Sequence, residues 1–274
     1  MNPMIRKELR QRMRERRGWV LPSLYLLVLS GAVAFAYFFK TQDLFGFGEL
    51  NEPQGAEVGV TIFLVSAYAQ LTLLLLLAPV FSAGGLTIEK EQRTLAALLT
   101  SLLTSAQIWW GKFIASLLFL GLLLVSALPV LSLAFALGGV GWRELILVSV
   151  CTLVMLASMC AVGLYCSSYF RRSVHSTAVS YAVVIALTVL TFVATTLMSW
   201  YWQQEAGPGG TEEEMPDYVA APLYLNPYVM LFSVFVRSGD DYPFWAISLK
   251  LFLAIACLAA ALAMRNLERS GEQV

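Results

Sequence analysis

The chain has 274 residues, 58% of them hydrophobic and 13% charged, with no net charge and a mean hydropathy of +0.71. Soluble globular domains carry about 25% charged residues, so this composition excludes one and fits an integral membrane protein. A neutral chain has no bulk field to draw it to nucleic acid, and no nucleic-acid partner is expected.

The amino-terminal stretch NPMIRKELRQRMRERR opens on Asn2 before Pro3, an N-cap residue followed by proline at the first helical position. Ile5, Leu9 and Met13 recur every four residues as a narrow apolar stripe. Arg and Glu side chains fill the rest, with Arg6, Lys7 and Arg10 among them. A basic helix of this kind over 1–18 lies on the inner membrane face, its stripe in the acyl boundary and its cations near anionic head groups. Membrane lipid is therefore an expected partner.

Six apolar runs come next, at 19–39, 58–86, 113–137, 145–167, 174–201 and 244–264. Each exceeds the ~20 residues that cross ~30 Å of hydrocarbon. The second and fifth are long enough to tilt or protrude. Within the first, Ala34-Phe35-Ala36 fits a signal-peptide cleavage pattern, but the run continues through Tyr37, Phe38 and Phe39 and reads as a retained span.

Between the second and third runs lies TIEKEQRTLAALLTS, with Glu89, Lys90, Glu91 and Arg93 clustered at its start. From Leu95 the apolar positions are Leu95, Leu98, Leu99, Leu102 and Leu103, a helical face, opposite Thr94, Ala97, Thr100 and Ser101. Thr104 and Gln107 have capping-box spacing and predict a new helix, with Trp109, Trp110 and Lys112 as interface anchors for the third span. A bare connection needs about four to eight residues. The 87–112 segment is much longer, and it reads as a short surface helix behind an exposed charged knuckle at 89–93, a docking surface.

After the fifth run, Trp200 and Trp202 mark an interface, 205–217 is acidic, and Gly207-Pro208-Gly209-Gly210 reads as a turn. The 218–236 stretch, YVAAPLYLNPYVMLFSVFV, is apolar again, but Pro222 and Asn226-Pro227 break its first half. A re-entrant or interfacial pair of short helices is expected there, within an outer loop over 202–243.

Lys and Arg residues concentrate on one side of this arrangement: the amino-terminal cluster, Lys90, Arg93, Lys112, Arg171, Arg172, Arg265 and Arg269. The opposite loops hold Lys40, Arg143 and Arg237, together with acids such as Glu212–Glu214, Asp240 and Asp241. The positive-inside rule then puts both termini in the cytoplasm of a multi-pass inner (plasma) membrane protein.

Asp and Glu are absent from the interior of all six runs, which argues against a proton- or sodium-driven carrier. Lys250 lies roughly 9 Å deep in the sixth. It either snorkels to the outer surface or contacts an anionic substrate. His175, beside Arg171 and Arg172, reads as an ordinary interfacial histidine. Cys151, Cys160, Cys166 and Cys257 lack metal-ligand spacing and read as small buried hydrophobes. Ala157–Ala161 and Ala259–Ala263 have the small-xxx-small spacing that lets helices approach closely. No GxxxxGK[ST] motif or triad is present, so the chain is read as no enzyme, binding neither ATP nor metal itself.

With these stretches in order, the chain resembles a type-2 ABC exporter permease. Asn2-Pro3 with Arg6-Lys7-Glu8-Leu9 is similar to the elbow helix of that family. Thr87–Ser101 resembles its "E-K-E … T-L … L-L-T-S" segment leading to a Gly-Lys, here Gly111-Lys112. Leu225-Asn226-Pro227-Tyr228 resembles a Leu-Asn-Pro-aromatic stretch before the last span in some relatives. Where many relatives have Gly and Pro, this chain has Arg93 and Leu102, which implies a more continuous cytoplasmic helix.

The resemblance implies an all-α permease of six transmembrane helices, working as a dimer with a second copy or a paralogue. Separate ABC ATPase subunits would hold the ATP and Mg. In this family the segment between spans two and three is a coupling helix seated on the ATPase. Glu89, Lys90, Glu91, Arg93 and Thr94 would meet that partner, and Leu95, Leu98 and Leu99 would hold the helix to the bundle. An ATP-independent carrier or channel, and a non-transporting membrane scaffold, are the alternative readings.

Overall fold

A computed structural model of the protein describes residues 17–45, 55–94, 104–138, 140–206, 221–235 and 244–271. The elbow residues Arg6, Lys7, Leu9, Arg10 and Met13 lie outside these, as do Leu95, Leu98 and Leu99. All regular structure among the described residues is helical.

Helix α1 spans Arg17–Phe45 and α2 spans Gly55–Ser82. A turn through Gly84 and Gly85 leads to the single-turn α3, Thr87–Glu91. The third apolar run is two helices, α4 over Ser105–Ser126 and α5 over Leu128–Leu137. They meet at Ala127, where the proline at the start of α5 resets the ladder. Helix α6 is Trp142–Tyr169. The fifth run opens as α7, Ser173–Ile185, widens into a π-helical segment at Ala186–Leu190, and continues as α8, Thr191–Ala206. A 3₁₀ turn at Ala221–Leu225 precedes α9, Pro227–Ser233, and the chain closes with α10, Phe244–Gly271. Helix α10 thus continues well past the end of the last apolar run.

Among the described residues six stretches are long and apolar enough to span a membrane: Trp19–Phe38, Val58–Glu91, Ser105–Leu137, Trp142–Tyr169, Ser173–Tyr201 and Phe244–Arg269. The 218–236 stretch adds no span: its described part is the two short helices.

Helix α6 is the axis of the bundle, packing against α10, α2, α7 and α4. Its buried face includes Cys151, Met155, Leu156, Met159, Cys160, Ala161 and Leu164. The most extensive helix pair is α6 with α10. Those two helices carry the small-xxx-small pairs, and Ala161, Ala259 and Ala263 are all buried. Three cysteines are buried as the sequence suggests, but Cys257 is exposed. It sits on the outer face of α10, where an apolar thiol is as well placed against lipid as in a core.

Close approach also governs the contact of α6 with the end of α2. A Cβ on Gly163 would stand 1.9 Å from Ser82 Oγ and 2.8 Å from Ser82 Cβ. Gly163→Ala therefore must push these helices apart, and is expected to cost about 2 kcal/mol as an overpacking change. A lowered thermal midpoint in detergent, with the size-exclusion profile unchanged, is the expected result. An unshifted midpoint would show that the contact yields.

Candidate functional site

The charged stretch after α2 forms a polar node in which several helix ends meet. A helix end leaves backbone N–H or C=O groups without intrahelical partners, and such groups must be satisfied when they are not in water. Here neighbouring helices satisfy one another. Ser167 Oγ, near the end of α6, accepts from Leu86 N–H at 2.7 Å and Thr87 N–H at 2.9 Å, capping the start of α3. In return Lys90 Nζ, from α3, donates to the carbonyls of Ser167 (2.9 Å), Ser168 and Phe170 (3.0 Å). An ammonium placed there meets spare carbonyls and the negative end of the α6 dipole together.

Glu91 performs the complementary task for α7. Its Oε1 accepts from Ser173 N–H at 2.7 Å and Ser173 Oγ at 2.9 Å. The α7 N-cap position, Arg172, makes no side-chain cap of its own. A carboxylate at a helix start is also favoured by the dipole. Ser176, one turn into α7 and fully buried, donates to Ala83 O at 2.9 Å.

Glu89 turns the other way. Lys112 Nζ of α4 lies 2.7 Å from its Oε1, with Lys112 only 3% exposed and Glu89 16%. The sequence-predicted capping box sets this up: Gln107 N–H donates to Thr104 Oγ1 (3.3 Å) and Thr104 N–H to Gln107 Oε1 (3.2 Å). It fixes where α4 starts and so which residue meets Glu89. Helix α10 joins through Asn266, whose Nδ2 donates to Ser168 Oγ at 3.4 Å. One helical turn thus touches α4, α6 and α7 by side chain, and α10 one residue removed.

Three expectations are corrected here. The knuckle is not exposed throughout: Glu89 and Lys90 face inward, while Ile88, Glu91, Gln92, Arg93 and Thr94 are exposed. The reason is that neighbouring helix ends and Lys112 offer these two charges better partners than water. Second, Trp109 and Lys112 are buried rather than at a surface, leaving only Trp110 exposed. Trp109 stacks on Phe113 with ring centroids 4.9 Å apart.

The third concerns Arg93. The helix does not run on through it. Arg93 has φ 57°, the left-handed region, with Arg93 N–H bonded to Lys90 O and Thr94 N–H to Glu89 O. These two bonds make a Schellman motif, with arginine doing what glycine does at that position elsewhere. Loss of the glycine therefore leaves the stop in place and adds the cost of a side chain there.

Sequence reading missed Ser167, Ser173 and Ser176, because single serines in apolar runs carry no spacing signal. Lys250 is exposed on α10 and touches nothing in this node.

Six apolar helices closed at one end by a charged node define a multi-pass integral membrane protein. Residues 3–269 match the family model described as ABC-2 family transporter protein. The chain belongs to that family, whose members are membrane permeases of ABC transporters. Among curated proteins nothing matches it.

A double-mutant cycle tests the node. Lys112→Met strands the Glu89 charge in a buried site and is expected to cost roughly 3 kcal/mol. With Glu89→Gln added, the loss should fall short of the sum of the single changes by about 2 kcal/mol. Additive losses in thermal or denaturant unfolding would mean the pair is screened by water.

Proposed function

We propose that the chain is the permease subunit of an ABC exporter in the plasma membrane, both termini and the polar node facing the cytoplasm. Two such chains, or this chain and a paralogue, form the substrate path. Separate ATPase subunits, which hold the ATP and Mg, dock on the 87–103 segment. The observation that carries this reading is the division of labour in α3. Glu89 binds Lys112 on α4, and Lys90 and Glu91 bind the ends of α6 and α7, while Ile88, Gln92, Arg93 and Thr94 stand outward.

A push on the outward face would reach three helices through hydrogen bonds and one ion pair, with no loop to absorb it. The basic residues about this end, Arg171, Arg172 and Arg93 among them, fit the cytoplasmic side. Family membership supplies the transporter context. The elbow residues Arg6, Lys7, Leu9, Arg10 and Met13 would anchor the same end to lipid, and Leu95, Leu98 and Leu99 would continue the docking surface. Lys250, exposed on α10, would face either lipid head groups or an anionic cargo.

Arg93→Gly separates docking from folding. Glycine relieves the left-handed strain, so the isolated permease should gain about 1 kcal/mol and a higher thermal midpoint. The same change removes an exposed cation from the docking face, so recovery of the ATPase subunit from gently solubilised native membranes should fall several-fold. Mass spectrometry of the co-purified material reads the second effect. If the intact chain brings down no ABC ATPase, the exporter reading fails. If Arg93→Gly leaves recovery unchanged, the docking face lies elsewhere.

A further inference from the structure

A second polar contact lies at the middle of the fifth span. The π-helical segment Ala186–Leu190 carries its ladder one residue wider than an α-helix: Thr191 N–H bonds to Ala186 O. Such bulges shift the register of the helix beyond them and recur at functional positions. Against it stands Asn226, 2% exposed, between the 3₁₀ turn and α9. Its Nδ2 donates to Thr188 O at 3.0 Å and to Thr191 Oγ1 at 3.0 Å. Its Oδ1 accepts from Tyr228 N–H at 3.0 Å and Val229 N–H at 3.4 Å, capping α9. An asparagine amide offers two donors and two acceptor sites, so this side chain is fully used, half on each element.

Other contacts seat α9 beside the bulge. Tyr228 Oη and Thr72 Oγ1, on α2, are 3.0 Å apart, and the rings of Tyr68 and Tyr228 lie 6.0 Å apart. Together Tyr68, Thr188, Phe192, Asn226, Tyr228 and Phe232 border a cavity of about 580 Å³. The bulge thus decides which side chains of the fifth span face that cavity. Returning it to α-helical winding would shift register by one residue and rotate Thr191–Ala206 by about 100°.

We infer that Asn226 is a latch: it fastens the bulge to α9, so that α8 and α9 move as one body and the cavity wall keeps its composition. Asn226 is a positioning residue here, acting through Thr188 and Thr191. The cap and the latch are separable. Asn226→Ser keeps an N-cap oxygen for α9 but cannot reach the fifth span. Thr191→Val leaves the cap untouched and removes one of the two acceptors.

The test places spin labels at Leu197→Cys and Phe232→Cys, both exposed, in a chain whose one exposed cysteine is changed, Cys257→Ser. Pulsed dipolar distances are read on the full chain in nanodiscs. With Asn226 present, one narrow distance is expected. Asn226→Ser should shift or split it by on the order of 8 Å, the displacement of a helix surface on such a rotation. Thr191→Val should broaden it in the same sense. An unchanged distribution in Asn226→Ser overturns the latch. Should that variant not fold, an unchanged distribution in Thr191→Val overturns it equally.

A second arm rests on the exporter reading. With the ATPase subunits bound, trapping with ATP and vanadate should leave the 197–232 distance as it was. A change there overturns the one-body claim while leaving the exporter reading intact. Failure to assemble with an ATPase counts against the exporter reading alone, since the first arm needs no partner.

Discussion

Spare backbone groups at helix ends are the constraint on which the rest of this structure turns. Where helix ends pack against one another away from water, each unmet group is costly. The protein meets this by pairing ends with ends. Ser167 caps α3, Lys90 of α3 caps α6, and Glu91 of α3 caps α7. Bonds to a charged group are the stronger kind, most of all where water is kept away, as at Lys90. Because the partners are reciprocal, moving α3 alone would leave donors and acceptors unmet on three helices at once. A single turn of helix, which has no stability of its own, is fixed by its neighbours' needs.

The Glu89–Lys112 pair adds direction to that arrangement. Both charges are largely removed from water, so neither can be left without the other at small cost. Its position depends on the Thr104–Gln107 capping box, which starts α4 at a fixed residue. Trp109 and Phe113, stacked on each other, back the same region of α4. Local helix-start chemistry thereby fixes a contact between residues 23 apart in sequence.

How much of this the sequence discloses depends on the kind of signal. The six spans are legible because apolar runs of that length have few other uses. The break at Asn226-Pro227 and the capping box are legible because Pro and Thr-x-x-Gln act locally. The inward turn of Glu89 and Lys90 is not, since exposure is the ordinary fate of four charges in five residues, and only the fold brings Lys112 and the end of α6 near. The stop at Arg93 is hidden for a related reason. The motif is made by backbone bonds, and its usual marker, glycine, is absent. The bulge in the fifth span has no marker at all: ALTVL reads as ordinary helix, and the residue bonded to it, Asn226, lies far along the chain.

In the fifth span polar bonds supplement sparse apolar packing in holding the helix in place. It has the smallest buried share of the six spans. Val174, Ile185, Val189, Leu190, Phe192 and Leu197 all stand exposed on it. Its attachments are spaced hydrogen bonds: Ser173 to Glu91, Ser176 to Ala83 O, Tyr181 to Leu76 O at 2.7 Å, and Thr188 and Thr191 to Asn226. Interdigitated side chains resist sliding continuously, because every displacement opens voids along the whole contact. Hydrogen bonds at separate points hold firmly in one register, and when released together they free the helix with little packing to rebuild. Four of those five attachments reach α3, the adjoining turn or the cap of α9, and the fifth reaches α2 at Leu76. The helix with the least packing is therefore the one whose position is most directly set by α3 at one end and by Asn226 at its middle.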